Sequence, residues 1–345
     1  MTLSRFALTF LVLLSPSVAA QQEADPAAVV AEIRQAAQEL LNELNDEQKQ
    51  SLLFKFQDED QRHNWSNLPT GIVQRKGLRW GDLSESQQAA VMKLMSATLS
   101  PEGVQQVIDN MDGDELLNEG GSGGGQRRII FGRAEYYLSI LGDPTSNAPW
   151  MWQFGGHHLG INATIVGDQV TLAPSLTGGQ PVDFERDGKK VRQLAGEEDT
   201  ALELIASLTK EQRAEAILDT THTDMIWGPG REGAMPKDEG IQAAKLNAQQ
   251  KALLVKLIEE RMGILNSVHA AAAMKQIEKD LDDTWFAWFG PTEAGSAFAF
   301  RIQAPRLLME YSPQRLGGDL TQHTHAMYRD PLNDYGVDWV RSAGN

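Results

Sequence analysis

Residues 40–49 read LLNELNDEQK, and residues 204–213 read LIASLTKEQR. Leu40, Leu44, Glu47 and Gln48 of the first stretch correspond to Leu204, Leu208, Glu211 and Gln212 of the second. Each stretch follows an apolar helix end and places Asn45 or Thr209 just before a Glu-Gln pair. A short polar side chain there accepts from the free amides of a helix's first turn, so both stretches read as helix starts. A second match follows in the same order. Residues 83–94, LSESQQAAVMKL, resemble residues 246–257, LNAQQKALLVKL, at nearly the same spacing. Two ordered matches point to an internal duplication. The expectation is two sequence-related halves, residues 21–190 and 191–345, about a pseudo-twofold, as two units or as one compact domain.

Each half opens with helices and closes with strands. In the first half, helical patterning covers 25–57 and 84–110. Alternating or β-branched runs follow at 136–140, 150–156, 158–166 and 169–172, with a Gly167-Asp168 hairpin turn. In the second half, helices are expected at 197–208, 210–220, 247–262 and 270–281. Strands are expected at 284–289, 297–303, 307–311 and 323–329. Helix runs followed by strand runs, twice over, define an α+β class with antiparallel strands. The stretch EGGSGGGQ at 119–126 has no Lys-Ser/Thr ending and precedes a strand, so it reads as a flexible link, not a phosphate loop.

Residues 1–20, MTLSRFALTFLVLLSPSVAA, carry one early charge, Arg5, a short apolar run and a small-residue end. This is the pattern of a secretory signal peptide, and its apolar run falls short of the roughly 20 residues that span a bilayer. The expected location is periplasmic or secreted, with no membrane span. The chain has no cysteine, which removes thiolate catalysis, thiolate metal sites and disulfides. Its formal net charge of −16 argues against nucleic acid and leaves small-molecule ligands or substrates as the expected partners.

Four of the seven histidines sit in two short segments, His157-His158 within WMWQFGGHHLGINATIV and His323/His325 within DLTQHTHAMYRDP. Imidazole is the commonest metal ligand. Strand alternation puts His157 with Leu159, Ile161 and Ile165 on an apolar face, and His158 with Asn162 and Thr164 on a polar one. A one-residue register change would exchange them. His323 and His325 share a face with Met327. If the two segments converge, His158, His323 and His325 form a site for a divalent transition metal such as Zn, Cu or Fe, with His157 as an outer partner or alternative ligand. Glu310 stands alone in an apolar strand, LLMEY, and needs a cation or a partner. It is a candidate ligand or catalytic group, and Arg301 or Arg306 is its alternative partner. Arg329 continues the His323–His325 face and is a candidate for holding a substrate anion, or for an ion pair with Asp330 or Asp334. His63, His222 and His269 are isolated and read as structural or surface residues. Trp150, Trp152, Trp285 and Trp288 read as core or as pocket walls. The one Gly-x-Ser-x-Gly match, Gly120–Gly124, falls in the flexible link and not in a nucleophile elbow, no His-Glu-x-x-His occurs, and no Rossmann glycine fingerprint follows an expected strand.

The segments around Trp150–Asn162, Arg301–Pro305, Leu308–Tyr311 and His323–Pro331, with Arg62, Trp65, Pro69 and Gly77-Leu78, resemble the domain-of-unknown-function family 3500 over nearly the whole chain. The resemblance implies a mostly bacterial, often exported protein and supplies no reaction. Tyr328 meets the family's small or aromatic position before Arg329. A charged residue often found at the Gly156 position is absent. The residues themselves support a metal-dependent hydrolase, with a non-catalytic metal- or small-ligand-binding protein as the alternative.

Overall fold

The computed structural model describes residues 25–121, 129–235, 237–316 and 318–343. The expected signal peptide, residues 1–20, and most of the glycine-rich link lie outside the described residues. Among the described residues, no helix is long and apolar enough to cross a membrane.

Among the described residues, one mixed, mostly antiparallel sheet of 13 strands runs through both parts of the chain, so the class is α+β. Its main path is Leu53–Phe54, Tyr137–Leu141, Trp150–Gly156, Leu159–Val166, Ser175–Gly179, Thr324–Arg329, Leu307–Pro313, Ala299–Ala304, Trp285–Phe289 and Ile217–Asp219. The two outermost pairings are parallel, Leu53–Phe54 on Tyr137–Leu141 and Ile217–Asp219 on Trp285–Phe289. The central pairing joins Ser175–Gly179 to Thr324–Arg329, with Gly178 opposite His325 and Thr177 opposite Ala326.

Four helix starts carry reciprocal capping boxes: Asn45 with Gln48, Ser84 with Gln87, Thr209 with Gln212, and Asn247 with Gln250. The box glutamines also bond one another across helices. Gln48 Nε2 donates to Gln87 Oε1 at 3.1 Å, and Gln212 Nε2 donates to Gln250 Oε1 at 3.0 Å. The single helix expected over 84–110 is two helices, Glu85–Thr98 and Pro101–Glu119. Pro101 lacks the amide needed to continue the first helix, and Ser100 caps the second by accepting from Gly103 N at 2.9 Å. The helix expected over 210–220 ends at Ala216 and passes directly into the edge strand Ile217–Asp219.

Helices cover one face of the sheet. Leu138, Ile140, Trp152, Phe154 and Ile161 meet Ile33, Leu40, Val91 and Leu94 in one core. Phe286, Trp288, Phe300 and Ile302 meet Leu204, Leu254, Leu257 and Ile258 in the other. Trp150, Trp152 and Trp288 are fully buried in these cores. The other face mixes polar side chains with small apolar clusters such as Trp65, Leu176 and Met327. Cross-strand neighbours Ser139, Gln153 and Asn162 bond to each other's side chains or to Gln61. The segments 55–77 and 220–240 lie over that face, through Gln61 in the first case and Ile226 and Trp227 in the second.

Candidate metal centre

His157 and His158 form a two-residue turn that closes the pair Gly156–Leu159. His158 has φ 62°, in the left-handed region that a side chain occupies at a cost. The turn, not strand alternation, therefore sets which partners the two rings meet. His157 points towards helix Pro101–Glu119, where its Nδ1 meets Asp114 Oδ1 at 2.7 Å. His158 points towards the end of Thr324–Arg329, and its Nε2 lies 2.9 Å from His323 Nε2.

His158, His323 and His325 thus come together. Each offers a ring nitrogen, and these atoms all lie within 4.8 Å of one another. The ring centroids are 4.8 Å apart for His158–His323 and 5.1 Å for His158–His325 and His323–His325. Glycine makes the approach possible. A Cβ on Gly178 would stand 2.7 Å from His325 Cδ2 and 3.4 Å from His158 Cβ.

The imidazoles are 2 %, 6 % and 3 % exposed in chain order, so they sit out of bulk water. Burial, then the neighbouring imidazoles, pushes His158 well below the ordinary 6.5. Burial pushes His323 down to about 4 against the opposing Leu316 carbonyl, and it likewise holds His325 well below 6.5. All three are therefore neutral at pH 7, the state in which imidazole offers a lone pair. His323 Nδ1 donates to Leu316 O, which leaves its Nε2 as an acceptor facing the group. Asn67 Nδ2 lies 3.2 Å from His325 Nδ1. His325 Nε2 is buried with no hydrogen-bond partner. A buried nitrogen left unpaired costs about 1–3 kcal/mol unless a ligand takes it.

Asp114, His157 and His158 form an overlapping group of the same compactness. The side chain of Asp114 is 0 % exposed, and its second oxygen accepts from Gly132 N at 3.0 Å. The ring of His157 lies 3.5 Å from that of His158, and Tyr136 donates to the His157 carbonyl at 2.9 Å. Asp114 escaped the sequence reading. It sits in a helix with Asp112 and Glu115 close by, and nothing in the spacing ties it to a turn 43 residues away.

Glu310 and Arg329 are not brought into the histidine group. Glu310 lies on the same sheet face, opposite Met327, while Ser312 lies opposite His325. Its carboxylate accepts from Arg301 Nε at 3.0 Å, Ile226 N at 3.0 Å and Trp227 N at 2.6 Å. Arg329 donates to the carbonyls of Trp227 and Gly228 at 2.7 and 2.8 Å and to Asp334 at 2.7 Å. Both side chains hold the 220–240 segment against the sheet. His269 bonds Asn266 and the Asp168 carbonyl, a structural arrangement.

The family described as protein of unknown function (DUF3500) matches residues 26–337, nearly the whole chain, and the chain belongs to it. No curated protein matches, and no solved structure matches.

Proposed function

We propose that this DUF3500 member binds one divalent transition metal, Zn, Cu or Fe, through His158, His323 and His325. The observation that carries the reading is the meeting of three buried, neutral imidazoles, one of which has a buried nitrogen with no protein partner. The side chains around them fit a metal. The Leu316 carbonyl orients His323, and the Asn67 amide, turned so that its oxygen accepts from His325 Nδ1, would free His325 Nε2 as a lone pair. An ion held by His158, His323 and His325 would supply Lewis-acid chemistry that activates water for hydrolysis. On this basis the chain reads as a metal-dependent hydrolase acting on a small molecule. The 2–6 % exposure of the three rings favours a second reading, a metal carrier or small-ligand protein without turnover.

Elemental analysis of the purified full chain after supply of Zn, Cu and Fe tests the site, with about one equivalent retained as the expected result. A chain that retains none of the three overturns it. Turnover of ester, phosphoester or amide substrates then separates the hydrolase from the carrier. Asp114→Asn removes the charged acceptor that fixes His157 against His158. Outer partners of this kind contribute about 10–100-fold to metal affinity. Because Asp114 acts through His157, roughly a tenfold loss in a chelator competition is expected. An unchanged affinity would detach Asp114 from the site.

Export through residues 1–20 belongs to the same reading, and N-terminal sequencing of the secreted chain would check it. So does the duplication. The four capping boxes support it, as does a sheet path that passes corresponding elements from either end. Gln153–Asn162 opposite Gln61 has its counterpart in Arg301–Glu310 opposite Ile226.

A further inference from the structure

We infer that a second site, lined by none of His158, His323 and His325, binds a small amphipathic amine. It is a cavity of about 420 Å³ lined by residues of the Gln169–Thr171 strand, the helix Ser267–Ile277 and the C-terminal segment from Asp330 to Trp339. Cavities of roughly 300–1,000 Å³ at the junction of structural units are the usual small-ligand sites.

Its walls divide by chemistry. Met262, Leu265, Ile277 and Trp339 supply an apolar side, and Tyr328, Asp330 and Arg306 supply a polar one. Tyr328 is 7 % exposed, and its hydroxyl has no hydrogen-bond partner among the described residues. Tyr328 lines the open space of the cavity, where a ligand's polar end can meet its hydroxyl.

The charge balance selects the head group. Arg261 is paired with Glu197 at 3.6 Å, and its Nη1 and Nη2 donate to Thr177 and Ser175, while its Nε has no partner among the described residues. Arg306 is shared between Asp330 at 3.5 Å and Asp338 at 3.2 Å. Asp168 also lines the cavity. Carboxylates therefore outnumber the free guanidinium, and the cavity field favours a cation over an anion. Asp330, 9 % exposed and 3.5 Å from Arg306, has spare acceptor capacity for an ammonium. Burial pushes its carboxyl up to about 6, the mark of a carboxylate with incomplete compensation. An ammonium at Asp330 would also donate to the Tyr328 hydroxyl, while an alkyl or aromatic body covers Met262 and Ile277.

The position matches the sheet plan. Arg306 ends the turn Pro305-Arg306 that closes the pair Ala304–Leu307, as His158 ends the turn that closes Gly156–Leu159. The metal centre is built beside one turn and the cavity beside its counterpart.

Calorimetric titration of the full chain with hexylamine, hexanoate and hexanol tests the assignment. Hexylamine is expected to bind with a stoichiometry of one, and hexanoate not to bind. Asp330→Asn should weaken hexylamine at least tenfold and Tyr328→Phe several-fold. Ala273→Phe, which fills the cavity from the helix, should abolish binding even if either of the other variants folds poorly. Hexanoate or hexanol binding as tightly as hexylamine overturns the proposal. So does hexylamine binding that survives Ala273→Phe, or a failure of hexylamine to bind at all.

Discussion

His323→Ala is expected to strip the bound metal from the chain while leaving it folded. The variant removes one of three ligand nitrogens at a site where the sheet supplies no replacement. Ser312, opposite His325, is a poor ligand, and Glu310 is occupied by Arg301 and two backbone amides. The loss of affinity should exceed the roughly 10–100-fold that outer partners contribute, because a directly bonded group is lost. The fold should suffer little. In the metal-free chain the His323 ring makes one bond to the Leu316 carbonyl and packs against His158 and His325. Removing these costs about 1–3 kcal/mol. Elemental analysis and thermal unfolding of the same preparation read both quantities. His269→Ala is the matched control, since His269 bonds only Asn266 and the Asp168 carbonyl and should keep the metal. Full metal content in His323→Ala, with a collapsed melting temperature, would mean that the histidines only pack.

The class of fold was legible because helix caps and strand alternation are local signals. Asn45, Ser84, Thr209 and Asn247 each declare a helix start within four residues, and all four are caps in the structure. The strands from Trp150 to Val166 and from Ala299 to Arg329 follow the same local logic. The strand Ser175–Gly179 was not legible. Ser-Leu-Thr-Gly-Gly has two glycines and little β-branching, so its local preference is weak. It is nevertheless the strand that joins the two parts of the sheet and makes room for His325. Its glycines answer to packing against His325 and Gln193, which no window of sequence contains.

The site shows the same division. The pairs His157-His158 and His323/His325 stand out in sequence because histidine is rare in the chain. The facing of His157 and His158 depends on a left-handed residue in a two-residue turn, whereas alternation assumes an extended strand. Asp114 joins through a helix whose own polar pattern hides it. The isolated charge of Glu310 was visible, but its partner was an open choice among Arg301, Arg306 and a metal. Register settles the matter, since Arg301 stands directly opposite Glu310 on the neighbouring strand.

Arg329→Ala should destabilise the protein strongly and in a pH-dependent way. Arg329 is 1 % exposed and uses all three guanidinium nitrogens: Nε to Trp227 O, Nη1 to Asp334, and Nη2 to Gly228 O and Glu232. Alanine leaves Asp334 buried without its counter-charge and frees two carbonyls of the 220–240 segment. Breaking a buried pair from one side costs about 3–5 kcal/mol, or roughly 4–7 °C in melting temperature for a chain of this size. The sign of the pH effect follows from Asp334. Burial already lifts its folded pKa to about 6 against the opposing pull of Arg329, well above the unfolded value of about 3.9. A group with a raised folded pKa binds a proton more tightly when folded, so its unfavourable contribution grows as pH rises through that pKa. Without Arg329 the folded pKa rises further. The penalty should therefore be larger at pH 7.5 than near pH 5, where more of the folded-state Asp334 is protonated. Arg329→Lys should recover only part of the loss, because an ammonium does not reproduce the planar fork. If Arg329 instead holds a substrate anion, Arg329→Ala would leave the melting temperature at pH 7.5 unchanged and abolish ligand binding. That outcome would return Arg329 to the functional site and remove it from the clamp on the 220–240 segment.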